Sequence, residues 1–121
     1  MEKISLKDKM NLFNDLWSPR IVGELNGQYV KVVKFQGEYV WHSHENEDEL
    51  FMVIDGEMEL HLRDGKINLK SGEFIIVRRG IEHKPSAAEI CSVMLFEPAT
   101  TRNTGDVDHE YTIEPEDLER I

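Results

Sequence analysis

Trp41–Glu57 reads WHSHENEDELFMVIDGE. Two of the five histidines in the chain stand here one residue apart, followed by four acidic residues and the apolar run Leu50–Ile54. In a strand, residues two apart point to the same face and lie about 6–7 Å apart. His42 and His44 therefore project together, as two ligands of one ion can. Glu49 opens the next strand-like run, and a hairpin through the acidic turn at 45–49 would bring its carboxylate beside the two imidazoles. The competing reading is a wet, acidic loop ahead of an ordinary strand.

Working outward, the signals from Ile21 to Pro98 are those of β structure. Asn26-Gly27, Asp55-Gly56 and Asp64-Gly65 are hairpin-type dipeptides, and Ser71-Gly72 and Arg79-Gly80 mark further turns. Short alternating runs lie between them. Val30, Val32, Lys34 and Gln36 share one face; Lys31, Val33 and Phe35 share the other. Met58, Leu60 and Leu62 alternate with Glu57, Glu59 and His61, and Ile90–Phe96 alternates likewise. Phe74–Val77 reads as a short buried strand. About eight strands at this spacing predict an all-β sandwich or barrel rather than a βαβ fold. Ahead of them, Ser5 and Asp8 resemble a capping box, and Met10, Phe13, Leu16 and Trp17 recur at helical spacing up to Pro19. The expected layout is a helix and lead-in over 1–20, the barrel over 21–98, and a polar tail over 99–121 that packs on the barrel, with a helical turn opening at Glu114-Pro115.

The 121 residues suit one core, and 40% hydrophobic with 31% charged residues suits a folded chain. A net charge of −10 argues against duplex nucleic acid and against anionic membrane surfaces. No apolar run is long enough to span a bilayer, and the start does not read as a signal peptide. The single cysteine, Cys91, excludes an internal disulfide and a cysteine-rich zinc site; it reads as a small buried hydrophobe. A cytoplasmic location is expected.

His83 follows Gly80 at the end of a later strand. Three imidazoles with one carboxylate suit zinc, iron(II), manganese, nickel or copper, and an octahedral ion held by four side chains keeps open positions. Each residue taken singly has a plainer reading as surface or turn; their order and the placement of the glycines carry the argument. Gly37-x4-His42-x-His44-x4-Glu49-x6-Gly56 resembles the first motif of the cupin superfamily, and Gly72-x5-Arg78-x-Gly80-x2-His83 resembles the second. The resemblance implies a single jelly-roll β-barrel with one divalent transition metal ion (Zn, Fe, Mn or Ni) held by His42, His44, Glu49 and His83. It also implies a homodimer, with outward Tyr39, outward Trp41 and the helix stripe as candidate dimer surface. The chain departs from the pattern at Arg78, where proline is usual, at Ala87, where asparagine is usual, and in the position of the first glycine. Gly37, Gly56, Gly72 and Gly80 read as turn residues that touch no ligand.

Alternation makes Phe51, Met58, Leu60 and Met94 candidate pocket walls, and Arg78 a basic residue able to attract an anion, alongside Arg79 and Lys84. Val40 is expected to point inward with the histidines. His61 reads as a surface residue and His109 as part of the tail. No general base stands out. The expected function is a metal-dependent enzyme of dioxygenase or isomerase type acting on a small metabolite, with some likeness to the cupin portion of phosphomannose isomerases. The alternative is a non-catalytic small-ligand binding or sensing module.

Overall fold

The computed structural model describes residues 1–121. It is a jelly-roll β-barrel: α1 (Leu6–Met10) precedes β1 (Arg20–Leu25), β2 (Gln28–Glu38), β3 (Glu49–Asp55), β4 (Glu57–Leu62), β5 (Gly65–Lys70), β6 (Phe74–Val77), β7 (His83–Pro98) and β8 (Glu119–Arg120). The order across the sheet is β5-β4-β7-β2-β1-β8, with β3 pairing β6 and β7.

The 16-residue β7 organises the barrel. Along one edge it pairs antiparallel with β2. Along the other it pairs first with β4, through Leu62–His83 to Glu59–Ser86, and then with β3, through Asp55–Ser92 to Leu50–Phe96. Its side chains alternate. His83, Pro85, Ala87, Cys91, Val93, Leu95 and Glu97 are buried, and their neighbours are not. Facing them are Val33 and Phe35 of β2, Phe51 and Val53 of β3, and Met58 and Leu60 of β4, which together form the main core. Burial of such side chains is the dominant favourable term in folding.

Three expectations need correction. The N-terminal helix stops at Met10, although Ser5 does cap it, accepting from the Asp8 N–H at 3.2 Å. The apolar stripe splits between the two sides of one sheet: Met10 and Phe13 pack on Val22 and Val32 outside the barrel, while Leu16 and Trp17 join the interior cluster. One straight helix cannot serve both faces. The chain bends instead, and Trp17 takes a left-handed φ of 59°.

Secondly, Asp55-Gly56 is a corner rather than a hairpin. β3 and β4 do not pair; each pairs with a different stretch of β7. Gly56, at φ 93°, passes so close to β7 that a Cβ would meet the Ile90 carbonyl at 3.0 Å and the Cys91 Cα at 3.2 Å. Asn26-Gly27 and Asp64-Gly65 do close hairpins. Thirdly, β6 is not buried throughout: Phe74 and Ile76 are exposed and only Val77 is enclosed, because β6 has β3 on one side and no strand on the other.

The tail crosses back over the barrel. Thr101 and Thr104 are fully buried, a 3₁₀ turn spans Pro115–Asp117, and β8 adds to β1 in parallel. No helix is long and apolar enough to cross a membrane.

Candidate metal centre

At Gly37, with φ 78°, the β2–β7 register shifts and β2 ends one residue later. The next ten residues are irregular, and they carry His42 and His44. His42 is fastened to the first residue of β7 by a pair of backbone bonds, His42 N–H to the His83 carbonyl at 3.1 Å and His83 N–H to the His42 carbonyl at 2.9 Å. The Gly80 N–H donates to the His44 carbonyl at 2.7 Å. Between the two histidines, Ser43 is clamped by the tail. Its N–H donates to the Asp106 carboxylate at 3.0 Å, and its carbonyl accepts from the Asp106 N–H at 3.1 Å. This approach requires Gly105, where a Cβ would collide with the Ser43 carbonyl oxygen. Barrel curvature and these ties, not a hairpin, bring Glu49 of β3 beside the imidazoles.

The four groups are all buried, and one ligand atom from each lies within 4.8 Å of the others. Glu49 Oε1 is 3.3 Å from His44 Nε2 and 3.4 Å from His83 Nε2. His42 and His83 each use Nδ1 to donate to a carbonyl two residues back, Val40 at 2.9 Å and Ile81 at 2.8 Å. A carbonyl only accepts, so Nδ1 carries the proton and Nε2 presents its lone pair to the centre. His44 Nε2, Glu49 Oε1 and His83 Nε2 are buried without a hydrogen-bond partner. Buried polar atoms are nearly always paired. Convergent imidazole nitrogens with one carboxylate oxygen are the donors of a divalent transition metal, so the residues fit the ion that the fold implies.

The electrostatics single out His42. Burial, then the neighbouring His83, lowers His42 to about 4, so its ring is neutral and ready to ligate near pH 7. Burial works against charge on Glu49 too, but the adjoining His44 and His83 imidazoles outweigh it and hold this carboxyl well below its usual range. His44 is raised: burial opposes its charged form, while the adjoining Glu49 carboxylate favours it more.

The structure sorts the expected pocket residues. Phe51 stands edge-on to His83, ring centroids 5.9 Å apart, and lines a narrow cavity with Trp17, Phe35, Tyr39, His42 and Glu49. Its free space is about 20 Å³, room for one water-sized group. Met58 and Leu60 are deep core residues outside that cavity. Met94 lies on the other face of β7, between Val32 of β2 and Met52 of β3, because Val93 and Leu95 take the inward positions. Arg78 is exposed and pairs with Asp48 at 3.4 Å, as Arg79 does at 3.5 Å; Lys84 pairs with Glu38 at 3.0 Å. These cations belong to a solvated turn and strand edge.

Tyr39 also departs from expectation. The bulge at Gly37 resets the alternation, so its ring turns inward, stacking on Trp17 at 4.7 Å and meeting His42 edge-on at 5.5 Å. Trp41 stays near the surface beneath the Arg63 guanidinium, 3.9 Å above its ring. With Met10, Phe13 and Trp17 also buried in their own chain, the residues expected to form a dimer face are largely consumed internally. His61 is half-buried and bonded to Ser86 at 2.9 Å, while Cys91 is fully buried. The departures at Arg78 and Ala87 remove no ligand.

Sequence reasoning missed the Lys31–Glu97 ion pair, 2.9 Å long with both side chains 1% exposed. The signal was present: strand parity puts Lys31 on the face of Val33 and Phe35, where a cation needs a buried partner.

A family model described as Cupin domain matches residues 30–96. A solved cupin-2 domain containing protein from Shewanella frigidimarina is 45% identical with a TM-score of 0.78, over 78% of this chain and 93% of that one. A solved Neisseria meningitidis protein is 30% identical with a TM-score of 0.74, over 80% of this chain and 99% of that one. The uncharacterized Bacillus subtilis protein YdbB is 34% identical over 64 residues, which is 52% of this chain and 57% of that relative's length. Both the motif order and these matches place the chain in the cupin family.

Proposed function

We propose that this protein is a metal-dependent cupin enzyme acting on a small, largely apolar metabolite, in a reaction of dioxygenase or isomerase type. The observation that carries the reading is the convergence of three partnerless buried ligand atoms with a fourth imidazole on one point. A divalent ion bound there would supply positive charge to polarise a substrate oxygen or to lower the pKa of a bound water.

The chain's own residues define the rest. His42, His44, Glu49 and His83 are the ligands, and the Val40 and Ile81 carbonyls orient two of them. Trp17, Phe35, Tyr39 and Phe51 wall the approach and exclude water. No lysine or arginine lines that cavity, which favours a neutral substrate over a carboxylate or sugar phosphate. The free space is too small for a metabolite in this conformation, so binding requires the Trp17 or Tyr39 ring to move. The second reading is a non-catalytic ligand-binding module that uses the same cavity. The acidic charge supports a small-molecule partner rather than nucleic acid or membrane, in the cytoplasm. A homodimer would have to form through residues other than those the sequence suggested.

The test is a panel of neutral and anionic metabolites on metal-loaded protein, read by turnover, oxygen consumption and melting temperature. Turnover with a neutral compound supports the enzyme. Melting shifts without turnover support the binding module. Preference for anionic compounds would contradict the proposed substrate class.

A further inference from the structure

Two carboxylates meet inside this barrel, and only one is a ligand. The β3–β7 register ends at Phe51–Leu95 and Leu50–Phe96, and the next residues on the two strands, Glu49 and Glu97, bring their side chains into contact. Both side chains point inward and both are buried, at 4% and 1% exposure. Like charges directly opposed across a ladder repel. On the other side of β7, Lys31 reaches Glu97 Oε1 at 2.9 Å from one diagonal step along β2. It leaves Glu97 Oε2 buried without any partner. Lys31 meets one oxygen of Glu97, and no hydrogen-bond donor meets the other.

We propose that Lys31 and Glu97 are positioning residues for the metal centre: Glu97 backs the ligand Glu49, and Lys31 keeps Glu97 in place. The inference rests on the metal reading above. In the protein without metal, two acids lie side by side and one lysine holds Glu97. Groups behind a metal ligand typically change affinity by about 10–100-fold when removed. A purely structural ion pair would behave differently, because breaking it lowers stability with and without metal alike.

The experiment strips the full chain with chelator and titrates it with zinc and with manganese chloride, reading half-saturation and melting temperature. Glu97→Gln keeps the shape and can still accept from Lys31. It is expected to melt no lower than wild type without metal, yet to need about 10–100-fold more metal for half-saturation. Lys31→Met leaves Glu97 bare. It is expected to melt lower without metal and to need more metal for half-saturation than wild type does. If Lys31→Met does not fold, the double variant Lys31→Met/Glu97→Met replaces the pair with apolar groups, and it is expected to bind metal as weakly as Glu97→Gln. Wild-type affinity in Glu97→Gln, or in the double variant, overturns the role of the pair and leaves the metal centre standing. A wild type that binds neither metal overturns the centre, and this role with it.

Discussion

The barrel interior holds two regions that are equally buried and oppositely satisfied. Around Val53, Met58, Leu60 and Val93, each 1% exposed or less, every side chain is apolar and contact alone completes the packing. Around His42, His44, Glu49 and His83, exposure is as low as 0–4%, but three ligand atoms end without partners. β7 runs through both, with apolar Cys91, Val93 and Leu95 between His83 and Glu97. The difference separates what the chain completes by itself from what it completes with something else. The first region is a scaffold. The second, on the proposed reading, is completed by a cation.

Leu60→Ala strikes the scaffold and should show the largest stability change. A fully buried leucine truncated to alanine costs about 2–5 kcal/mol, so denaturant unfolding should register that loss with and without metal alike. His44→Ala should instead abolish the difference in stability between the two forms. A loss for Leu60→Ala confined to metal-loaded protein would erase the distinction between the regions.

The next effect is set by pH. His42 titrates at about 4 in the folded, metal-free chain, against about 6.5 when unfolded. The unfolded state therefore takes this proton first, and stability falls as pH drops through the window from 6.5 to 4, by about 3 kcal/mol in total from this group. Buried Glu97, raised by burial and by Glu49, acts in the opposite sense within the same window. Comparing wild type with His42→Gln across pH isolates the histidine; equal pH slopes would contradict its neutral, ligand-ready state. The smallest effect belongs to exposed Arg78. Arg78→Ala should change stability by less than about 0.5 kcal/mol and leave metal affinity unchanged, and a large loss of metal would show that this turn supports the centre.

Much of this was legible in the sequence, for identifiable reasons. The four clustered residues could be read because each lies in a short motif whose glycines mark turns: Gly37, Gly56, Gly72 and Gly80 all adopt positive φ. Alternation placed Phe51, Met58 and Leu60 inside, since strand parity holds wherever the ladder is regular. It failed at Tyr39, where the bulge at Gly37 resets parity, and at Met94, where Val93 and Leu95 own the inner face. The helical stripe misled because one set of apolar residues serves two faces of a sheet. The Gly105–Asp106 clamp on Ser43 and the Lys31–Glu97 pair join residues more than sixty positions apart, a pairing that no local pattern encodes.

The most direct test of the central claim is metal content by mass spectrometry on untagged protein, beside the double variant His42→Ala/His44→Ala. The account predicts close to one divalent transition metal ion per wild-type chain and none in the variant. Equal, negligible metal in both, even after incubation with zinc, iron(II), manganese and nickel, would contradict it.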